Sequence, residues 1–136
     1  MTTYALDTNT IAYFFKGMGG VAGRLLAVPP SEIMVSTVVA FELAAGVAKS
    51  PEASRRREQL ARFLSAVTMI PLGREEAAVS AEVRADLEKR GLPIGPLDVL
   101  IAGTALARGA VLVTRNTREF SRVAGLRVES WYNEAE

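Results

Sequence analysis

Tyr4-Ala5-Leu6-Asp7-Thr8-Asn9 decides the architecture of this chain. A short apolar run ends in an acid, and residues that favour helix starts follow without a linker. This predicts a strand over 3–6 and a helix over 8–15 that opens at Asp7 or Thr8. The alternation continues outward. A Gly-rich stretch at 17–23 is too irregular for a phosphate-binding fingerprint and reads as a surface loop before a short helix at 23–28. Pro29-Pro30-Ser31-Glu32 is a turn, 33–36 a buried strand, and Thr37 is expected to cap a helix running through Val47. A charged amphipathic helix is predicted over 51–66, a short strand over 68–71, and a second charged helix over 75–89 with Ala78, Val79, Val83 and Leu87 at helical spacing. Arg90-Gly91 stops it. Pro96 then opens a nearly all-apolar helix through Arg108, followed by a strand at 110–113, a helical turn at 117–120 and a last short strand at 126–129.

Short apolar strands alternating with helices imply an α/β fold: a parallel sheet of four to five strands with helices on both faces. No repeat, low-complexity segment or dividing linker interrupts the pattern, so residues 1–136 are expected to form one domain. In such folds ligands bind beyond the carboxyl ends of the strands. Asp7 ends the first strand, Glu42 and Asp98 are expected in the first turns of their helices, and Thr114 to Glu119 follows the fourth strand. All four segments can therefore meet at one edge of the sheet.

Those acids stand out because aspartate is scarce: there are three Asp against twelve Glu, and two of the three, Asp7 and Asp98, lie in apolar segments. Glu42 lies in a similar one, Phe41-Glu42-Leu43-Ala44, with no Lys or Arg within four residues. Burying an unpaired carboxylate costs several kcal/mol, so such acids need partners, and a divalent cation is a common shared partner. Singly, Asp7 reads equally well as an N-cap, Asp98 as a first-turn acid answering the helix dipole, and Glu119 as one member of an ion pair with its Arg neighbours. Together, four acids at one predicted edge point to a metal.

Composition narrows the chemistry. With 49% hydrophobic and 23% charged residues the chain has the make-up of a soluble globular protein, and a net charge of +1 supplies no strong field toward nucleic acid or membrane. Thirteen of the sixteen cations are Arg, the better fork for phosphate. There is no Cys and no His, which excludes disulfides, thiolate or imidazole metal sites and Ser-His-Asp triads. Catalysis must run on carboxylates, hydroxyls, amides, Lys, Arg or a hard metal ion. No signal-peptide pattern and no apolar run near the ~18 residues of a membrane span are found, and a cytoplasmic protein is expected.

Leu6-Asp7-Thr8-Asn9, Phe41-Glu42-Leu43, Pro93-Ile94-Gly95-Pro96-Leu97-Asp98 and Thr114-Arg115-Asn116-Thr117-Arg118-Glu119-Phe120, in this order and spacing, closely resemble the PIN-domain ribonucleases. The match is to the VapC-type toxins of bacterial toxin–antitoxin pairs, and it covers essentially the whole chain. The resemblance implies a Mg²⁺- or Mn²⁺-dependent endoribonuclease. Asp7, Glu42 and Asp98 match the family's three principal acids. Glu119 takes the place of the fourth, which is Asp in many members, and Asn116 stands where others carry Asp or Asn. Thr8 and Thr114 match positions that hydrogen-bond the acids or the substrate phosphate. Asn9, Arg115, Asn116 and Arg118 join them as candidate substrate contacts.

The resemblance further implies cleavage of structured RNA, often tRNA in the anticodon stem-loop, and the motifs are most similar to members that cut initiator tRNA. It implies a homodimer and a tight complex with a small VapB-type antitoxin that covers the acids. From the residues themselves, Arg115, Arg118 and Arg122 are expected to project near the acids. Arg55, Arg56 and Arg57 form a second basic run that reads equally as a solvated helix face. Tyr13, Phe14 and Phe15 are expected in core or dimer packing, with base stacking as the alternative. Competing functions are a metal-dependent nuclease acting on DNA or other RNA outside a toxin pair, and a non-catalytic RNA-binding module. A phosphoacceptor domain lacks its paired acids and its catalytic Lys here.

Overall fold

Strand β1 (Tyr4–Leu6) lies at the centre of the sheet in the computed structural model, which describes residues 1–135. On one side it pairs with β2 (Ile33–Ser36), which pairs in turn with β3 (Thr68–Ile70). On the other side it pairs with β4 (Val111–Val113), which carries β5 (Val128–Glu129) at the far edge. All four ladders are parallel, giving the order β3-β2-β1-β4-β5. Parallel neighbours need crossover helices, and these are α1 (Thr8–Lys16), α2 (Val21–Leu26), α3 (Thr37–Ala48), α4 (Ala53–Ala66), α5 (Arg74–Lys89), α6 (Pro96–Ala107) and the short α7 (Thr117–Phe120). The chain first builds outward from β1 to β3, then returns to the opposite side at β4. Right-handed crossovers therefore place the helices on both faces of the sheet. The reversal of direction lies between β1 and β4, where an open α/β sheet leaves a crevice at its carboxyl edge.

Register aligns that edge. Leu6 pairs with Val113, Val113 with Glu129, and Ser36 with Ile70, so the residues that follow each strand emerge side by side. The strand interiors are dry: Leu6, Ile33, Val35, Leu112 and Val113 are essentially inaccessible, together with Ile11 of α1. Each such side chain contributes roughly 1.5–3 kcal/mol of apolar burial, enough to hold three-residue strands that have little hydrogen bonding of their own.

Three local details differ from the sequence expectations. Helix α2 starts at Val21 because Gly19 and Gly20 hold φ of 65° and 67°, a left-handed turn that ends where the helix begins. Ser36, not Thr37, caps α3: its hydroxyl accepts from the Val39 amide at 3.2 Å, while the Thr37 hydroxyl accepts from Leu72. Since α3 starts at Thr37, Glu42 lies in the second turn rather than the first. Asp98 does lie in the first turn of α6. Helices α5 and α6 approach closely at Gly103, where a Cβ would overlap Ser80.

Candidate active site

Asp7 leaves β1 and becomes the N-cap of α1, with extended backbone at φ −81° and ψ 173°. Its Oδ1 accepts from the Thr10 amide at 2.9 Å, and the buried Thr114 hydroxyl lies near enough to stabilise the charged carboxylate. Its own amide donates to Val113 O at 3.1 Å, which stitches the end of β1 to the end of β4. Asp7 is only 7% exposed. Burial pushes its carboxyl above the ordinary 3.8, against the opposing hydrogen bonds from Thr114 and Thr10 and with a small further push from Glu42.

Glu42 reaches the same edge from α3. The Thr8 hydroxyl donates to its Oε1 at 2.5 Å, a short charge-assisted bond that ties the first turn of α1 to the second turn of α3. Asp98 arrives from the opposite direction on the first turn of α6, behind Gly95 and Pro96. Its carboxyl is also pushed up, first by burial and then by the charges of Glu42, Asp7 and Glu119. The charges of the other three acids reach Asp98, so all four share one electrostatic field. Glu119 stands on α7, where the Asn116 side-chain amide donates to its Oε2 at 3.1 Å. The Asn116 backbone amide donates to the fully buried Thr114 hydroxyl, so Thr114 links the fourth motif back to Asp7.

Among the described residues no Lys or Arg forms an ion pair with Asp7, Glu42, Asp98 or Glu119. Four carboxylates share an edge without a counter-cation, two of them held above their ordinary pKa. This donor set, oxygen only and net negative, fits a hard divalent ion. The fit is electrostatic rather than a ready-made cage: among the described residues no three acids stand close enough to chelate an ion as they are.

The other candidate residues divide. Thr8 and Thr114 are committed to the acids, while Asn9 and Arg118 are exposed beside them. Arg115 is engaged elsewhere, by the tail of the chain. Its guanidinium forks onto Glu134 with two bonds of 2.8 Å and lies 3.7 Å from the Tyr132 ring centroid, with Tyr13 behind at 5.6 Å. Arg122 donates to Pro93 O at 3.2 Å. Arg55 and Arg56 pair with Glu52 on the exposed face of α4. Phe14 and Phe15 pack against Phe63 at 5.6 Å, as expected of packing residues, and Tyr13 meets Tyr132. Sequence reasoning missed Thr10, which donates its amide to Asp7 and its hydroxyl to Val113 O at 3.1 Å. The spacing held the signal, since an N-cap acid accepts from the amide three residues on.

The family model described as PIN domain matches residues 4–126. The tRNA(fMet)-specific endonuclease VapC of Shigella flexneri is 34% identical over 131 residues, covering 96% of this chain and 99% of that protein. Ribonuclease VapC2 of Rickettsia felis is 37% identical over 130 residues, covering 94% of this chain and 97% of that protein. Among solved structures, a chain of the DNA-bound VapBC of Salmonella typhimurium superposes with a TM-score of 0.89 at 34% identity, over 96% of this chain and 99% of that one. PIN-domain nucleases generally use divalent metal ions, in accord with the uncompensated acids. Four acids at the carboxyl edge of a five-stranded parallel sheet, with a match of sequence and fold along nearly the whole length, place the chain in one family: it belongs to the VapC-type PIN-domain ribonucleases of toxin–antitoxin systems.

Proposed function

We propose that residues 1–136 act as one nuclease domain, a Mg²⁺-dependent endoribonuclease toxin that hydrolyses phosphodiester bonds of structured RNA, with initiator tRNA and its anticodon stem-loop as the target. The observation that carries this reading is the gathering of Asp7, Glu42, Asp98 and Glu119 at the sheet's crevice with no ion pair to a Lys or Arg among the described residues. The tRNA assignment is supported by the relatives of Shigella flexneri and Salmonella typhimurium, both named tRNA(fMet)-specific endonucleases. Asp7, Glu42 and Asp98 would hold the ion, with Mn²⁺ able to substitute, and Glu119 would assist. When bound, the ion lowers the pKa of a water and offsets phosphate charge.

The residues of the chain do the positioning. Thr10 and Thr114 hold the Asp7 carboxylate, so it meets a ligand without rotating. Thr8 binds one oxygen of Glu42 and leaves the other to orient the attacking water. Asn116 steadies Glu119. Asn9 and Arg118, exposed at the rim, meet the RNA backbone. Arg115 joins them only when Glu134 lets go. The protein works in the cytoplasm as a homodimer, and a VapB-type antitoxin covers the crevice. The VapBC complexes among its structural relatives support such a partner.

The test uses purified, partner-free protein with total tRNA under Mg²⁺, Mn²⁺ or excess chelator, beside Asp7→Ala and Asp98→Asn. A discrete, metal-dependent product that disappears in both variants supports the reading. Cleavage of other RNA or of DNA alone would move the substrate. Intact nucleic acid under every metal condition would leave a binding module.

A further inference from the structure

Beside the acids lies a cleft of about 260 Å³ between α1, α3 and α4, whose apolar interior has been given no substrate role. One face of α1 supplies Thr8, Ala12, Phe15 and Lys16, at helical spacing, and one face of α3 supplies Glu42, Leu43, Gly46 and Val47. Leu60 closes the floor from α4, and Arg56 stands on the same helix at the margin. Helix α1 therefore runs the cleft's length, from Thr8 at the acids to the exposed Lys16. The lining is apolar between polar ends. Phe15 supplies an aromatic ring, steadied by Phe14 at 5.5 Å and Phe63 at 5.6 Å.

We propose that this cleft is a nucleobase subsite, which takes one unpaired base of the RNA while the phosphate next to it lies at the acids. The inference rests on the ribonuclease reading. Three observations select this occupant. Its volume falls just below the ~300 Å³ at which pockets begin to suit drug-sized ligands, which fits a single planar ring system. Thr8 and Glu42 belong both to the acid cluster and to the cleft wall, so a nucleotide seated at the acids has this opening within its own length. Lys16 places positive charge at the apolar lining, where the next phosphates of a polyanion would pass, and Arg56, paired with Glu52 at 3.8 Å, brings a second guanidinium to the margin. Unpaired loop bases are the part of a structured RNA that proteins read, by stacking them on aromatic and apolar side chains.

Gly46 gives a clean probe. A Cβ there meets nothing within 4 Å, so a side chain would grow into open space along the cleft. Replacing a Gly inside a helix also favours the helix, so Gly46→Leu should fold and melt no lower than the native protein. Binding is measured by fluorescence anisotropy in chelator at low salt. The probes are a stem-loop carrying the initiator tRNA anticodon and a set of the same stem-loops, each with one loop nucleotide made abasic. Removing one particular base should weaken binding to the native protein on the order of tenfold. Gly46→Leu should weaken the intact stem-loop by a similar factor and leave that abasic one unchanged, while Gly46→Ala stays within about twofold of native binding to every probe.

The proposal is overturned if Gly46→Leu binds the intact RNA as the native protein does, or loses intact and abasic probes alike. It is overturned too if the variant keeps its RNA affinity but loses an antitoxin, which would assign the cleft to a protein partner. A native protein that cuts RNA with Mg²⁺ yet shows no abasic effect refutes the subsite alone. One that cuts no RNA refutes the ribonuclease reading itself.

Discussion

Asp7→Asn should make the metal-free protein more stable while abolishing its activity. Asp7 does two separable things. As N-cap it accepts from the Thr10 amide at 2.9 Å, a role that Asn fills as well as Asp. As a carboxylate it is 7% exposed, and loss of water on burial holds its pKa above 3.8. The folded protein then binds this proton more readily than the unfolded chain does. The group costs stability at neutral pH, and the cost fades as pH falls through the raised pKa toward 3.8. Asn keeps the cap and removes the buried charge, so a gain of about 1–2 kcal/mol, the ordinary size of a stabilising substitution, is expected in chelator at neutral pH. For a chain of this length that is a rise of roughly 3–8 °C in Tm. Asp7→Ala forfeits the cap as well, worth about 0.5–2 kcal/mol, and should melt below Asp7→Asn by that amount. Calorimetry in chelator, at neutral pH and near pH 4, checks both the size and the sign. The Asn advantage should shrink toward the acid end, where the folded protein takes up the Asp7 proton more readily than the unfolded chain. An Asn variant that melts at or below the native protein at neutral pH would refute the idea that Asp7 is held at a cost.

Millimolar Mg²⁺ should raise the native Tm, and Asp7→Asn should respond less, because the ion relieves the repulsion that the substitution has already reduced; equal responses would separate Asp7 from the ion. Thr8→Val removes the hydroxyl that holds Glu42 and should cut turnover by roughly 10–100-fold with little change in RNA binding, measured as kcat against KM. Gly19→Ala forces an L side chain to φ 65° and into the Tyr132 ring, so a loss of about 2 kcal/mol is expected in urea unfolding. Glu134→Gln loosens the fork on Arg115 and should speed proteolytic nicking after Tyr132, most at low salt, where the native ion pair is strongest.

The fold was legible because the central strands are dry apolar runs, and β1 and β2 pass straight into a helix start, as in Ala5-Leu6 before Asp7 and Val35-Ser36 before Thr37. Strand order was not written in those runs, since β2 and β4 are equally apolar and only pairing decides which lies on which side of β1. The convergence of the four acids was legible from topology: residues that follow strands of a parallel sheet must share an edge. What holds them was only partly visible. The Thr8–Glu42 bond spans 34 residues and depends on the crossing of two helices, which periodicity does not encode. The fate of Arg115 was least legible. Its neighbours in sequence are the fourth-motif residues, yet its partners are Tyr132 and Glu134, because the Gly19 turn leaves a seat for the Tyr132 ring and the Asn133 amide donates to Gly19 O at 2.7 Å. The Gly-rich stretch, read from sequence as a surface loop, is where the tail docks.

That docking bears on how the acids can work. Two of the three Arg expected to project near the acids are engaged elsewhere, Arg115 by Glu134 and Arg122 by Pro93 O, while Arg118 is exposed. An Arg reaching Asp98 from inside the chain would have lowered its carboxyl pKa and steadied the fold, and it would also have filled the place a metal ion needs. Keeping Arg115 and Arg122 tied elsewhere leaves the acids short of positive charge, so they hold a phosphate only weakly until a cation arrives. On the proposed reading a divalent ion would meet that deficit and at the same time supply the chemistry, whereas a guanidinium carried in by another protein would meet it without the chemistry. Activation and inhibition at this edge would then compete for one unfilled charge, and the occupant that leaves a water facing the phosphate would decide whether the bond is cut.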